Sequence, residues 1–203
     1  ANYIKNKVSD GIVAANFTEE AIDILQKKKK GNFIMLQPNH TTFKPEYIIE
    51  HRDIYGATLS QERNNYCITP SLFQDMKLSK ETENNLIIAY MILKYTPSNS
   101  ISISYNQQVI GVGAGQQNRI DCLQIAGGKA TKWLDKHNIT NPDNLVMASD
   151  GFIPFPDTIE LASKLGITYI IQPGGSINDS IVMDACNENN IQMIMTNNRL
   201  FYH

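Results

Sequence analysis

Cysteine is scarce. Only Cys67, Cys122 and Cys186 occur in 203 residues, far apart and with no CxxC spacing. That excludes a zinc cluster and a disulfide framework and fits a reducing compartment. No apolar run reaches membrane-spanning length and no signal peptide is visible, so a cytoplasmic location without a membrane partner is expected. Charge of one sign is also lacking. The 18 Lys and Arg and 20 Asp and Glu are interspersed, for a net charge of −2. Such a balance offers no basic stripe for nucleic acid. The one basic run, Lys27-Lys28-Lys29-Lys30, falls where the pattern ends a helix, and there it is expected to complement the helix dipole. The glycines at 111, 113 and 115 form G-x-G-x-G. That is neither the dinucleotide fingerprint G-x-G-x-x-G nor a phosphate loop, because no lysine follows.

What is present is apolar content, 42% of the chain, enough for one large core or two small ones. Two stretches resemble each other. Residues 9–38 run from Ser-Asp-Gly through an acidic helix start at Thr18-Glu19-Glu20 to a strand closing in Gln37-Pro38. Residues 149–175 run from Ser-Asp-Gly through Asp157-Thr158-Ile159-Glu160 to a strand closing in Gln172-Pro173. Each reads as loop, helix and buried strand. The second copy has a long structured lead-in and the first has eight residues. The expectation is a tandem protein of which this chain is the back part.

The lead-in is legible. Residues 80–94 form a helix, with Ser79 as its N-cap and an apolar run from Leu86 to Leu93 that predicts burial on most sides. Strands follow at 101–105 and 108–113, joined by a polar turn at Asn106-Gln107. A helix is predicted over 116–137, then strand 145–148, helix 157–165, strand 167–172, helix 178–188 and strand 191–196. Residues 39–78 are less regular, with strands near 47–51 and 55–60. The order α, β-hairpin, αβαβαβ predicts an α/β fold, a three-layer sandwich on a mixed sheet. It resembles the cytidine deaminase-like fold, with residues 1–78 as the tail of an incomplete first repeat plus a connector and residues 79–203 as the second repeat. Zinc deaminases of that fold carry H-x-E and P-C-x-x-C. Neither occurs here, so no zinc is expected.

Several residues have chemistry to offer. Gly111, Gly113 and Gly115 either let backbone pack closely or leave helix N–H groups free for a ligand. Thr96-Pro97-Ser98-Asn99-Ser100 caps and turns the chain, or gives oxygens to a hard cation. Asp150 starts a loop at a strand's C-terminal end, where ligands gather in open α/β sheets. Asp157, with Phe152, Pro154 and Phe155, is an N-capping residue in a turn or a partner for an aromatic ligand with donor nitrogens. Gly174-Gly175-Ser176 precedes a helix and could expose N–H groups to a ligand, and Arg199-Leu200-Phe201 follows the last strand, where the arginine is solvated or clamps a phosphate or amide oxygen.

The runs KYTPSNS, VIGVGAGQQNRI, ASDGFIPFPD, QPGGS and TNNRLFYH, with VSDGIVA and LSQERNN, resemble the formyltransferase domain of the bifunctional purine-biosynthesis family, AICAR transformylase fused to IMP cyclohydrolase. The resemblance spans nearly the whole chain in order. It implies transfer of a formyl group from the co-substrate 10-formyltetrahydrofolate to the 5-amino group of AICAR, giving FAICAR, by a homodimer of tandem deaminase-like units. By motif match, Asn99 would orient the amine and formyl groups. Arg199 and Phe201 would contact AICAR. Ile120, Phe152, Pro154, Asp157 and Ser176 would line the folate pocket. Thr96, Ser98, Ser100, Asp150 and Leu200 fall where the family binds a structural potassium ion, partly through backbone carbonyls. Gly111 to Gly115 would then shape the floor of the cleft.

There are departures. The family's Lys-His pair, followed by proline and small residues, is not found. Lys136-His137 is followed by Asn-Ile-Thr and reads as surface. Gly151, Ile153, Pro156 and Pro97 stand where the family usually has Ala, Phe, Arg and Gln. The catalytic reading therefore stands beside a rival, a folate- and nucleotide-binding or dimerisation module without the Lys-His half of the site.

Overall fold

In a computed structural model, which describes residues 1–38 and 48–200, the chain divides into two compact units, Ala1–Arg63 and Asn64–His203.

In the first unit β1 (Gly11–Val13) and β2 (Ile34–Leu36) pair in parallel, Gly11 opposite Ile34. Helix α1 (Glu19–Leu25) crosses between them. Thr18 caps it by accepting the Ala21 N–H at 3.2 Å, and Glu19 and Glu20 sit in the first turn where the dipole favours carboxylates. The basic run does not occupy the last turn of α1. The helix stops at Leu25, and Lys29 and Lys30 turn left-handed (φ 50° and 55°) ahead of Gly31. Lys28 instead reaches the Lys7 carbonyl, and Lys29 pairs with Asp10. A hairpin of β3 (Ile49–Ile54) and β4 (Ala57–Glu62) follows, turned at Tyr55-Gly56. The strands expected near 47–51 and 55–60 thus lie slightly later, and residue 47 is outside the described residues.

The second unit carries a five-stranded sheet in the order β6-β5-β7-β8-β9. Its strands are β5 (Ile101–Tyr105), β6 (Gln108–Gly113), β7 (Val146–Ser149), β8 (Tyr169–Gln172) and β9 (Gln192–Met195). β5 is antiparallel to β6 and β7, whereas β7, β8 and β9 are parallel, so the sheet is mixed. Asn106 and Gln107, both at positive φ, make the tight turn that matches strand twist.

Period-two alternation builds the layers. Ile101, Ile103, Met147, Ile170 and Met193 share a core with α3 (Arg119–Lys136), α4 (Asp157–Lys164) and α5 (Asp179–Glu188). Val146, Ala148, Ile171 and Ile194 share the other core with α2 (Lys80–Leu93). With both faces covered, every residue of β7 is buried. The α2 face also accepts hydroxyls. Ser102 and Ser104 donate to the Ala89 and Asn85 carbonyls at 2.6 and 2.7 Å. Residues 64–78 belong to this unit, and Phe73, Tyr66, Ile68 and Leu72 join the α2 core.

Two expectations are corrected here. The run Leu86–Leu93 is not buried on most sides: Leu86, Ala89, Tyr90 and Leu93 face the sheet, whereas Met91 and Ile92 are exposed. Only one side of α2 meets a strand layer, and a continuous apolar run cannot select that side. The two Ser-Asp-Gly motifs are also not equivalent. The first leads into β1, whereas the second leaves β7, whose last residue is Ser149.

The glycines of β6 pack. A Cβ on Gly111 would lie 2.1 Å from the Ala126 carbonyl oxygen, and one on Gly113 would lie 2.0 Å from that of Cys122. Strand and helix backbones touch, so only glycine fits. Gly115, at φ 64°, has open space around it and turns the chain towards α3.

Candidate functional site

The C-terminal ends of β7 and β8 meet the start of β5, the start of α3 and the segment after β9. The Asp150 N–H donates to the Ser100 carbonyl at 3.2 Å, and the Leu200 N–H donates to the Asp150 carbonyl at 2.9 Å. Three distant segments therefore close on Asp150, whose side chain is fully buried.

Arg119 enters the same place from the first turn of α3. It donates from Nε to Ser149 Oγ at 3.2 Å and from an η nitrogen to Asp150 Oδ1 at 3.3 Å. Its side chain is 11% exposed, and burial pulls its pKa below the ordinary value while Asp150 opposes that shift. Two guanidinium groups lie over the Phe152 ring, that of Arg119 at 5.8 Å and that of Arg199 at 5.3 Å from its centroid. The result is an aromatic ring with two cations against it, one half-buried and one exposed. Arg119 was not among the expected site residues. The signal was available: an arginine in the first turn of a helix opposes the dipole and calls for a carboxylate elsewhere.

Asn99 is held firmly. Its Nδ2 donates to the Gln116 and Gln117 carbonyls at 3.0 and 3.2 Å, and its own carbonyl accepts the Cys122 thiol at 3.0 Å. Both amide hydrogens are used, so its Oδ1 is the atom left to receive a ligand N–H. These bonds explain why α3 begins at Arg119, not at Gln116. The carbonyls of residues 116 and 117 serve Asn99, and Asn118 caps the helix by accepting the Asp121 N–H.

Among the residues expected to hold a cation, Thr96 donates its hydroxyl to the Ile92 carbonyl at 2.8 Å. Ser100 Oγ and Asp150 Oδ2 are buried without a hydrogen-bond partner. Leu200 is buried beside them through its backbone bond to Asp150. Buried oxygens of this kind call for a cation or a donor. An all-oxygen set containing one carboxylate, itself paired to Arg119, suits a weakly charged hard cation such as potassium. Ser98 precedes this group and is half-buried. Among the described residues, no three His, Cys, Asp or Glu side chains gather as a metal cluster.

The expected folate-lining residues occupy two loops and one helix start. Asp157 is exposed, and its Oδ1 accepts the Thr158 N–H and hydroxyl at 2.6 and 3.2 Å. Pro154 accepts the Asn178 side-chain amide at 2.9 Å, and Ser176 accepts the Asn178 N–H at 3.1 Å. Ile120 follows Arg119 and is half-buried. Phe201 lies outside the described residues. Lys136 and His137 stand at the exposed end of α3, where His137 stacks on Trp133 at 3.9 Å.

The comparisons bear on this arrangement. Residues 1–129 match the family model described as AICARFT/IMPCHase bienzyme. The bifunctional purine biosynthesis protein PurH of Buchnera aphidicola subsp. Baizongia pistaciae (strain Bp) is 38% identical over 203 residues, covering 98% of this chain and 37% of that protein. PurH of Prochlorococcus marinus (strain NATL1A) is 37% identical over 206 residues, covering 100% of this chain and 38% of that protein. The chain thus spans well under half the length of these relatives. Among solved structures, the dCMP deaminase from cyanophage S-TIM5 aligns with a TM-score of 0.38 at 11% identity, over 57% of this chain and 98% of that one, too slight a likeness to support any conclusion. The match over residues 1–129 and the near-complete alignment with the PurH proteins show that the chain belongs to the AICARFT/IMPCHase bienzyme family.

Proposed function

We propose that the chain forms the C-terminal part of a formyltransferase site, which moves a formyl group from 10-formyltetrahydrofolate to the amine of AICAR. The observation that carries the reading is the Phe152 ring with Arg119 and Arg199 against it, beside buried Asp150. Both substrates are heteroaromatic and anionic. An aromatic side chain with two guanidinium groups against it offers apolar contact to the ligand rings and positive charge to their anionic groups, which suits both properties.

In this reading Arg199 contacts AICAR, and Arg119 adds positive charge from below. Asn99 Oδ1 accepts a hydrogen from the AICAR amine and points the nitrogen lone pair at the formyl carbon. Attack forms the new C–N bond and places negative charge on the formyl oxygen. Loss of the amine proton and cleavage of the bond to folate N10, which keeps the bonding pair and takes up a proton, complete the transfer and release tetrahydrofolate. Asp157 meets the donor nitrogens of the pterin, with Phe152, Pro154, Ile120 and Ser176 around it. Thr96, Ser98, Ser100, Asp150 and the Leu200 carbonyl would hold a potassium ion, whose charge would be shared by oxygens of the segments that meet at Asp150. The proton acceptor and oxyanion cation belong to a Lys-His pair supplied from outside these 203 residues, in a homodimer of deaminase-like repeats, because Lys136 and His137 lie at the exposed end of α3.

The test is calorimetric titration of the chain with 10-formyltetrahydrofolate and with AICAR, in potassium and in lithium, beside a formyl-transfer assay. Binding of both ligands, tighter in potassium and without turnover, is expected. Arg199→Ala should weaken AICAR binding by about tenfold, the scale of one lost charge-assisted contact. Failure to bind either ligand refutes the proposal, and turnover refutes the need for an outside Lys-His pair.

A further inference from the structure

Gln172 is fully buried at the last position of β8. A polar side chain there has to justify its desolvation, and its contacts do so in an unusual way. Its Oε1 accepts two backbone N–H groups, from Ile153 at 3.2 Å and from Gly174 at 3.1 Å. Ile153 belongs to the loop that leaves β7, and Gly174 to the loop that leaves β8. One oxygen atom therefore ties two loops that are not adjacent in sequence. The amide nitrogen of Gln172 contacts Met193 Sδ of β9 at 3.1 Å, which fixes the amide plane.

A second tie joins the same loops further out. Asn178 donates from Nδ2 to the Pro154 carbonyl at 2.9 Å, and its backbone N–H donates to Ser176 Oγ at 3.1 Å. The loop after β8 is shaped to allow this. Gly174 and Gly175 both lie at positive φ, 74° and 92°.

We propose that Gln172 and Asn178 are positioning residues that clasp the loops after β7 and β8 into one rigid jaw, so that Phe152 and Pro154 on one side and Ser176 on the other hold a fixed gap for the folate ring. This rests on the formyltransferase reading for the identity of the ligand, and on the hydrogen bonds alone for the clasp. The clasp touches no reacting atom. It acts by removing loop disorder that binding would otherwise have to remove.

The experiment pairs amide hydrogen exchange with folate affinity in three variants of the full chain. In the parent, the Ile153 and Gly174 amides exchange slowly. Gln172→Leu is of similar size but offers no acceptor, and should speed exchange at both amides together. It should weaken 10-formyltetrahydrofolate binding by about tenfold or more, as expected when two buried donors lose their acceptor. Gln172→Glu keeps acceptor oxygens for the same two N–H groups and should keep both amides slower to exchange than in Gln172→Leu, at a cost in stability from the buried carboxyl, which a purely volumetric role would not predict. Asn178→Ala removes only the outer tie at a half-buried position, and should weaken the folate severalfold with a small loss in melting temperature.

Parental folate affinity in Gln172→Leu or in Asn178→Ala overturns the proposal, as does faster exchange at only one of the two amides. If Gln172→Leu does not fold, Asn178→Ala still decides it by folate affinity. If the parent chain does not bind folate, the formyltransferase reading fails. The joint response of the two amides then decides the clasp by itself.

Discussion

A methyl group on Gly113 would lie 2.0 Å from the Cys122 carbonyl oxygen and 2.7 Å from its carbon. Ordinary contact begins at 3.4 Å, so strand and helix must part by about 1.4 Å. Neither side can rotate away, because both contacts are backbone. Overpacking a core typically costs about 1–3 kcal/mol, and a backbone clash belongs at the upper end. At about 2–4 °C per kcal/mol for a chain of this size, Gly113→Ala should melt roughly 6–12 °C below the parent. Gly128 is the internal control. It lies in the same helix, α3, but on its exposed side, where an added methyl would meet nothing within 4 Å and φ is not positive. Gly128→Ala should raise stability by about 0.5–1 kcal/mol through reduced freedom of the unfolded chain and better helix propensity. Thermal unfolding followed by far-ultraviolet circular dichroism at constant potassium reads both. If Gly113→Ala melts with the parent, the close-packing argument is wrong. If it also binds folate or AICAR poorly, the glycine run is a ligand cradle after all.

Two further outcomes follow from buried polar groups. Arg119→Met strands the Asp150 carboxylate, whose side chain is 0% exposed, and should cost about 3–5 kcal/mol in chemical denaturation; adding Asp150→Asn should recover part of that loss, and strict additivity of the two would refute the pairing. Burial outweighs the hydrogen bond to Thr196 and pushes the Tyr90 hydroxyl up to about 12. The folded pKa is above that of the unfolded chain, so its contribution is complete below pH 10 and lost as pH rises towards 12. One tyrosine should therefore ionise late in an ultraviolet titration, and Tyr90→Phe should abolish that late phase.

Most of the second unit could be read from period alone. The hairpin strands occur at the expected residues, because Ile-Ser-Ile-Ser alternation and an Asn-Gln turn leave few alternatives. The parallel strands and their helices lie within a few residues of expectation. What could not be read depends on contacts between distant residues. Gln116 and Gln117 look helical, but their carbonyls are taken by Asn99. The apolar run of α2 covers more of the helix than the sheet can bury, so its sequence does not say that Met91 and Ile92 are left outside. The lysine run looks like a helix end, but the chain has already left the helix by Lys28. Arg119 and Gln172 were missed for the same reason: their partners lie in other segments, at Ser149 and Asp150 for one and at Ile153 and Gly174 for the other.

The distribution of satisfied and unsatisfied polar groups supports the proposed site independently of any resemblance. At one end of the β5–β7 pair, buried polar residues are well supplied. Asn85 donates to the Asn144 carbonyl and accepts the Gln107 N–H, and Ser104 donates to the Asn85 carbonyl. At the other end the pattern reverses. Among the described residues, the buried side-chain oxygens without a partner are those of Ser100, Asp150 and Asp179. Ser100 and Asp150 are joined through their backbones, and Asp179 holds the Gly175 N–H of the loop that follows β8. The dipole-opposing Arg119 and the positive-φ Gly174-Gly175 turn lie with them. A fold selected only for stability would have supplied these acceptors with donors, as it did across the sheet. Features that break local rules and gather at the C-terminal ends of parallel strands support the proposed ligand site.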